Sequence, residues 1–425
     1  MFFIKFKRLL PVDKLTISVI FICLISVLGC GVVERLFEPT SQISSSVFSE
    51  FQHRNCAIID GAGQQQKIAC SDLAPMAFEH SPACRESEVN ASALGIFPGQ
   101  KVPMRLCQPK APKYLKQSES LRFFVFGDSG RGEDPSRGYG QQKVADGLRA
   151  ICFEGDRPTC DFGLVVGDMI YPKGPPHVFD KRFKIFFEQI YQDFGQMPFY
   201  AVAGNHDHHG NIQAEIEYTY FSERWRFFSL FYHLDFLPDW IKIVGLDTSS
   251  LIAGETLKET TEAQRNLTKE TLCGESESWH MLFGHHPSDA SGKHGGNFEI
   301  RDFLSPVEED CGIDFYFAGH EHHQEHIKVD GYDVILQGGG GTSIRKVRWL
   351  PDLDRQHFAY DGHGFAIVEA TPTQIDVYFY GVDVWKYQGT GFARPVSRKD
   401  YIYHCRALKG GPSGCMRPDG PSGSP

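Results

Sequence analysis

The sequence predicts an α/β protein whose folded domain begins near Leu121 and is preceded by a cysteine-containing segment. From Leu121 onwards, short apolar runs rich in β-branched and aromatic residues alternate with longer segments, which is typical of α/β architecture. The chain has 425 residues, of which 41% are hydrophobic and 23% are charged. This composition is sufficient for one large core or two smaller cores and argues against a disordered chain.

Seven of the apolar runs are predicted to be strands, and one longer segment is predicted to be a helix. Between the second and third runs, aromatic and apolar residues recur at spacings of three and four from Phe183 to Phe194, and Gly195 is a natural helix end. We interpret this aromatic stripe as core packing rather than as a ligand-binding surface. The predicted strands are Leu121–Phe126, Phe162–Val166, Phe199–Ala203, Ile241–Leu246, Met281–Phe283, Phe315–Ala318 and Val334–Leu336.

The first thirty residues predict export. Basic residues precede a predominantly apolar, uncharged run from Leu15 to Leu28, which is the pattern of a secretory signal. The run ends in Leu28-Gly29-Cys30, which resembles the lipobox of bacterial lipoproteins and would make Cys30 the lipidated first residue of a periplasmic or cell-surface protein. Two alternatives remain open. Leu15 to Val33 is just long enough to be an uncleaved anchor helix, and the leader could also be a simple cleaved signal.

Ten cysteines lie beyond this leader, and an even number in an exported chain suggests up to five disulfides. Close spacing makes Cys152–Cys160 and Cys405–Cys415 plausible pairs, while the remaining connectivity is open. No Cys-x-x-Cys pair occurs, which argues against a thiolate zinc site. We therefore divide the chain into a leader (1–30), an accessory disulfide-containing segment (31–117), a main domain (118–390) and a C-terminal extension (391–425) with a flexible Gly/Pro/Ser-rich tail.

The net charge of −10, from 53 acidic and 43 basic residues, argues against electrostatic binding of nucleic acid. Phosphate chemistry is not excluded by this charge, because a metal can supply the positive charge that side chains lack.

Five short motifs each follow directly on an apolar run. A glycine at a strand end lets the backbone turn sharply, and ligands bind at the carboxyl ends of strands in α/β sheets. Two carboxylates and several imidazoles in one cleft match the ligand preferences of borderline transition metals, and a carboxylate can bridge two metals. The motifs are Gly127-Asp128-Ser129-Gly130, Gly167-Asp168-Met169-Ile170-Tyr171, Gly204-Asn205-His206-Asp207, Gly284-His285-His286-Pro287 and Gly319-His320-Glu321-His322.

In this order, over roughly 121–387, the motifs resemble those of the calcineurin-like metallophosphoesterases and especially the small, tartrate-resistant purple acid phosphatases. Most metallophosphoesterases open with Asp-x-His, whereas this chain has Asp128-Ser129-Gly130. The second motif supplies Tyr171, where the purple phosphatases have a tyrosinate ligand. The resemblance implies a four-layer sandwich in which two mixed β-sheets are flanked by helices, with the metals at one edge.

The resemblance also implies a binuclear centre with two groups of ligands. The first metal is expected to be Fe(III), because a phenolate favours it, and its ligands would be Asp128, Asp168, Tyr171 and His322. The second metal is expected to be Fe(II), Zn or Mn, and its ligands would be Asp168 as the bridge, Asn205, His285 and His320. Two further histidines, His206 and His294, would hydrogen-bond the phosphate, and one of them could protonate the leaving alkoxide.

The activity implied is hydrolysis of phosphomonoesters, either small molecules or phosphorylated proteins, by a metal-bound hydroxide in mildly acidic solution. One alternative is a phosphodiesterase or pyrophosphate-bond hydrolase that uses the same metals. Another is a non-catalytic surface binding protein, although none of the seven expected ligands is missing. The oligomeric state is left open.

Other residues near the motifs receive structural interpretations. Asp207 is expected to orient a neighbouring histidine, and His323 and His326 are expected to lie at the rim of the site. His286 is given no role, because an extended backbone would point it away from His285. The glycine run 338–341 is interpreted as a turn near the metals, because it lacks the ending of a phosphate-binding P-loop.

Overall fold

The computed structural model describes four strands at 55–59, 65–69, 85–90 and 101–106, and residues 115–130, 140–176, 178, 180–219, 221–253, 258–274, 277–347, 355–384, 400–411 and 414–416. The predicted leader, including Cys30, and the residues beyond 416 lie outside these ranges. Within them, no helix is both long and apolar enough to cross a membrane.

The described strands form two large mixed sheets, a separate four-stranded sheet and one short hairpin. The four-stranded antiparallel sheet has the order β2-β1-β3-β4, where the strands are β1 (Asn55–Ile59), β2 (Gln65–Ala69), β3 (Arg85–Asn90) and β4 (Lys101–Leu106). The hairpin pairs β6 (Phe153–Glu154) with β7 (Arg157–Pro158). In spatial order, the eight-stranded sheet contains β10 (Trp225–Arg226), β9 (Phe199–Ala201), β8 (Phe162–Val165), β5 (Leu121–Phe126), β18 (Gly364–Ala370), β19 (Gln374–Gly381), β20 (Tyr403–Leu408) and β21 (Gly414–Met416).

Four neighbouring strands of the seven-stranded sheet are parallel, and they are β12 (Ile241–Gly245), β13 (Trp279–Phe283), β14 (Phe315–Ala318) and β16 (Asp333–Gln337). In spatial order it contains β11 (Tyr232–His233), β12 (Ile241–Gly245), β13 (Trp279–Phe283), β14 (Phe315–Ala318), β16 (Asp333–Gln337), β15 (Gln324–Lys328) and β17 (Gln356–Tyr360). All seven predicted strands are present, and their ends differ from the prediction by at most two residues. The described α-helices are α1 (Gly140–Cys152), α2 (Lys181–Phe183), α3 (Asn205–His208), α4 (Ile212–Tyr218), α5 (Thr248–Ile252), α6 (Lys258–Leu272) and α7 (Phe298–Cys311).

The two large sheets pack face to face. Alternate residues of each strand point to opposite faces, so one face of a sheet contacts the other sheet and the opposite face contacts the outer elements. In β5, Phe123 contacts Phe317 of the other sheet, whereas its neighbour Phe124 contacts Phe194 on the outer side. In β14, Phe317 belongs to the core shared by both sheets, whereas Tyr316 lies in a second core with α5, α6 and α7. The predicted four-layer sandwich of two mixed sheets flanked by helices is therefore confirmed.

The predicted aromatic helix is present but irregular. Its N-terminal cap is Asp180, whose side chain accepts a hydrogen bond from the backbone of Arg182 at 2.8 Å. The helix continues from α2 as a π-helical turn over Lys184–Glu188 and ends in a 3₁₀ turn over Gln192–Phe194, after which Gly195 has a positive φ of 58°. The aromatic stripe is buried against the eight-stranded sheet, as interpreted from the sequence.

Three disulfides lie in the described part of the chain. The expected pairs Cys152–Cys160 and Cys405–Cys415 are confirmed. The third, Cys273–Cys311, joins the C-terminal ends of α6 and α7 across 38 residues, and no spacing argument identified it.

A partly exposed pair next to the eight-stranded sheet, Asp383 and the buried His363, predicts how stability depends on pH. Burial would raise the pKa of Asp383, but the side-chain and backbone N–H groups of His363 lower it to about 2. The stabilisation by this carboxylate is therefore complete above about pH 4, the value for unfolded chains, and is lost as the pH falls through 2. We expect Asp383→Asn to lower the free energy of unfolding by about 1–2 kcal/mol at pH 5 to 7, allowing for partial exposure. In urea titrations the difference should shrink towards pH 2, and a constant difference would contradict this account.

Candidate metal centre

The predicted ligands occupy a strained edge where the two large sheets meet. The backbone N–H of Gly127, after β5 of one sheet, donates to the carbonyl of Gln337 at the end of β16 in the other sheet at 2.8 Å. The described part of the chain has three non-glycine residues with positive φ, and all three are predicted ligands: Asp128 (57°), Asp168 (53°) and His320 (68°). Such conformations are costly for residues with a Cβ and cluster at functional sites.

Each of these residues follows a glycine, and crowding explains all three: a Cβ on Gly167 would lie 2.7 Å from His285 Nδ1. A Cβ on Gly319 would lie 2.6 Å from an Asp128 carboxylate oxygen, and a Cβ on Gly127 would lie 2.6 Å from the side chain of Val166. The glycine run contributes in the same way, since a Cβ on Gly338 would lie 3.0 Å from Asp128 Oδ2. Side chains at Gly319 and Gly338 would crowd the Asp128 carboxylate, and one at Gly127 would crowd Val166.

The four residues predicted to bind the first metal converge on the Tyr171 hydroxyl. This oxygen lies 2.8 Å from Asp168 Oδ2 and 3.1 Å from Asp128 Oδ1. It lies 3.4 Å from Nε2 of His322, and that nitrogen is 3.4 Å from Asp128 Oδ1. All four side chains are buried.

The residues predicted to bind the second metal converge on the Asn205 amide oxygen. This oxygen lies 3.2 Å from His285 Nε2 and 3.1 Å from His320 Nδ1, and the two nitrogens are 3.3 Å apart. His285 Nε2 is also 3.4 Å from Asp168 Oδ2, so Asp168 contacts both groups. The structure thus brings all seven predicted ligands together in the two predicted groups.

Backbone carbonyls determine which nitrogen two of the histidines present. His285 Nδ1 lies 2.8 Å from the carbonyl oxygen of Val166, and His322 Nδ1 lies 2.8 Å from that of Ser343. Because a carbonyl oxygen can only accept, both Nδ1 atoms carry the proton and both Nε2 atoms present a lone pair to the cluster. Such an outer hydrogen bond is the usual support of a metal-binding histidine.

The electrostatics of the cluster fit a cation. Burial and the charge of Asp168 raise the pKa of Asp128 to about 8, and burial with both carboxylates raises the pKa of Tyr171 well above its ordinary value. Burial opposes ionisation of Asp168 too, but neighbouring His285 lowers its pKa overall. Among the described residues, the ion-pair partners of the two carboxylates are histidines, with no lysine or arginine. A donor set of carboxylate, phenol, amide and imidazole groups suits iron, zinc or manganese, whose charge would favour the ionised oxygens.

Asp207 has a different role from the one expected, because it does not orient a histidine. Its Oδ2 accepts the backbone N–H groups of Asp168 and Gly204, both at 2.8 Å. Its Oδ1 accepts those of Met169 at 3.1 Å and Ile170 at 3.4 Å. One buried carboxylate thus joins the loops that carry Asp168 and Asn205.

The two predicted substrate histidines lie at the mouth of the cluster. His206 is half-buried, its Nδ1 lies 2.6 Å from the carbonyl oxygen of Pro172, and its Nε2 lies 4.0 Å from Asp168. His294 is exposed, with its ring centroid 4.7 Å from that of His320. Its loop is positioned by Glu321, whose Oε1 accepts the backbone N–H groups of His294 and Gly295. Glu321 is not among the predicted site residues, and its position between two predicted ligands is the only sequence signal for it.

The expectations for three other histidines are wrong. His323 and His326 are fully buried rather than at the rim, because β15 runs through the core; they pair with Glu325 and Asp333. His286 does not point away from His285. One ring nitrogen from each of His285, His286 and His320 lies within 4.8 Å of the others.

Comparisons with known proteins identify the family of the chain. The family model for calcineurin-like phosphoesterases matches residues 121–324. Tartrate-resistant acid phosphatase type 5 of Oryctolagus cuniculus is 32% identical over 240 residues, covering 51% of this chain and 74% of that protein. Two solved structures share the fold. GAP50, the anchor in the inner membrane complex of Plasmodium, is 19% identical with a TM-score of 0.53, covering 66% of this chain and 90% of the other. Purple acid phosphatase PPD1 from yellow lupin (Lupinus luteus) seeds is 13% identical with a TM-score of 0.50, covering 82% and 70%.

Fold, site and relatives together place the chain in the calcineurin-like phosphoesterase family. Within that family it is of the purple acid phosphatase type, as Tyr171 predicted, and it is an enzyme that hydrolyses phosphoric esters at a metal centre.

Replacing Asp207 tests its role between the loops. In Asp207→Asn, an amide NH₂ faces two backbone N–H donors, so two hydrogen bonds are lost and the loops separate. We expect a free energy of unfolding lower by about 2–4 kcal/mol and a reduced metal content measured by mass spectrometry. Asp376→Asn is the matched control, because Asp376 is a buried carboxylate that pairs with His404 and Arg406 instead. Equal metal loss in both variants would disprove the specific role of Asp207.

Proposed function

We propose that this enzyme is an acid phosphatase that hydrolyses phosphomonoesters at a binuclear metal centre. The proposal rests on one observation, the convergence of seven candidate ligands in two groups that share Asp168. Small phosphate esters or phosphorylated proteins would be the substrates, as the family implies.

The two groups differ in chemistry, which supports different metals. The Tyr171 group is rich in anionic oxygen and suits Fe(III), whereas the Asn205 group has two imidazoles and suits Fe(II), Zn or Mn. When bound, the metals would lower the pKa of a water molecule and neutralise charge on the phosphoryl group.

His206 and His294 would act on the substrate. In its neutral form, His206 donates Nδ1–H to Pro172 and so presents a lone pair on Nε2; in its protonated form, Nε2 becomes a donor to phosphate or to the leaving oxygen. Burial and the charge of Arg345 lower the pKa of His294. Of the two histidines, His206 is therefore the better candidate for the general acid.

The three disulfides of the described residues support export, since disulfides persist in oxidising compartments. We propose that the mature enzyme is exported and tethered by its N-terminus, through lipid on Cys30 or an anchor helix.

Paired assays test the reaction class. The purified enzyme should hydrolyse p-nitrophenyl phosphate faster than bis-p-nitrophenyl phosphate, with a rate that is highest at acidic pH. A large preference for the diester would favour the phosphodiesterase alternative. A rate that still rises in alkaline buffer would contradict the acid phosphatase.

Tyr171→Phe tests the iron assignment. A tyrosinate bound to Fe(III) absorbs visible light, so the purified enzyme should be coloured and the variant should lose this absorption band. The matched control is Tyr232→Phe, since the Tyr232 hydroxyl is buried away from the cluster and donates to the carbonyl of Ala201 at 2.7 Å. A band that survives in Tyr171→Phe, or is lost in both variants, would refute the assignment.

A further inference from the structure

His286 lies against the second group of ligands without belonging to the proposed ligand set. Its ring centroid is 4.5 Å from that of His320 and 4.9 Å from that of His285. A ring nitrogen so close to two candidate ligands could bind a metal through a lone pair, or it could donate a hydrogen bond to an anion. The position of the ring proton decides between these roles.

Thr248, the first residue of α5, determines which nitrogen of the His286 ring carries the proton. Its Oγ1 accepts the backbone N–H of His285 at 3.2 Å and that of His286 at 3.0 Å. A hydroxyl oxygen has two lone pairs, and both are therefore used. The hydroxyl proton remains for the third neighbour, His286 Nδ1, at 2.9 Å. Nδ1 is thus an acceptor, so the proton of the imidazole is on Nε2.

His286 consequently has the opposite polarity to its neighbour His285 and to the candidate ligand His322. In His285 and His322, carbonyl oxygens accept from Nδ1, which leaves a lone pair on Nε2. In His286, a hydroxyl donates to Nδ1, which leaves an N–H on Nε2. An N–H group cannot bind a metal, but it can donate to a phosphoryl oxygen.

The His286 ring is also fixed in position. The Tyr316 hydroxyl donates to the backbone carbonyl of His286 at 2.6 Å, so hydrogen bonds to backbone and side chain immobilise the residue. His286 is 7% exposed, and among the described residues no side chain or carbonyl accepts from its Nε2. The Nε2–H group is therefore available to an acceptor that enters the site.

We propose that His286 Nε2–H donates a hydrogen bond to a phosphoryl oxygen of the substrate, on the side of the site formed by His285 and His320. This inference rests on the proposed phosphatase function and adds a substrate-binding residue to His206 and His294. The hydrogen bond requires no change of charge on His286, so it forms at any pH at which the site is intact.

The test compares His286→Phe, which keeps a ring but removes the donor, with His286→Gln, whose amide N–H can reach a similar position. Calorimetry with inorganic phosphate as the probe measures binding, mass spectrometry measures metal content, and p-nitrophenyl phosphate measures turnover. We expect His286→Phe to retain its metals, to bind phosphate about tenfold more weakly and to have a lower kcat, because a hydrogen bond to a charged group is lost. His286→Gln should recover most of the phosphate affinity.

Three results would overturn the inference. Loss of one metal in His286→Phe would make His286 a ligand, and an unchanged phosphate affinity in that variant would make it a packing residue. The third result is a phosphate affinity that is weakened equally in His286→Phe and His286→Gln. If His286→Phe does not fold, His286→Leu provides the same comparison. Failure of the proposed function can be distinguished from failure of this inference. If only the proposed function fails, the wild-type enzyme binds phosphate in a His286-dependent manner but does not hydrolyse p-nitrophenyl phosphate.

Discussion

The repulsion between two buried carboxylates is the constraint on which the rest of the structure depends. Asp128 and Asp168 both contact the Tyr171 hydroxyl, and among the described residues neither pairs with a lysine or arginine. Such a pair is unstable without a cation. The glycines that allow close approach, the positive φ angles and the buried Asp207 all act to keep these carboxylates together, and they have little purpose unless metals bind there.

The loops that carry the site are held by hydrogen bonds from backbone N–H groups to buried carboxylates. Asp207 joins the loops after β8 and β9 by accepting four N–H groups, and Glu321 positions the His294 loop by accepting two. Both carboxylates are fully buried. This arrangement separates two tasks, since one set of carboxylates faces the metals while another set defines the loops that carry the ligands.

Histidines that are adjacent in sequence have different chemistry because their Nδ1 atoms have different partners. A carbonyl opposite Nδ1 leaves a lone pair on Nε2 of His285, as a metal ligand requires, whereas a saturated hydroxyl opposite Nδ1 leaves the proton on Nε2 of His286. The distinction comes from elements remote in sequence: Val166 follows β8, while Thr248 begins α5. A site rich in histidine can thus contain both ligands and anion-binding groups without titration of either.

The sequence by itself determined the sandwich fold and the identity of the seven candidate ligands. Strand periodicity and a glycine after each strand are local signals, and parallel strands bring their carboxyl ends to one edge. Only the tertiary structure decided the roles of Asp207, Glu321 and His286, the burial of His323 and His326, and the Cys273–Cys311 disulfide. The physical reason is that these depend on the partner of a particular N–H, oxygen or sulfur atom, and that partner comes from a distant part of the chain that no local pattern specifies.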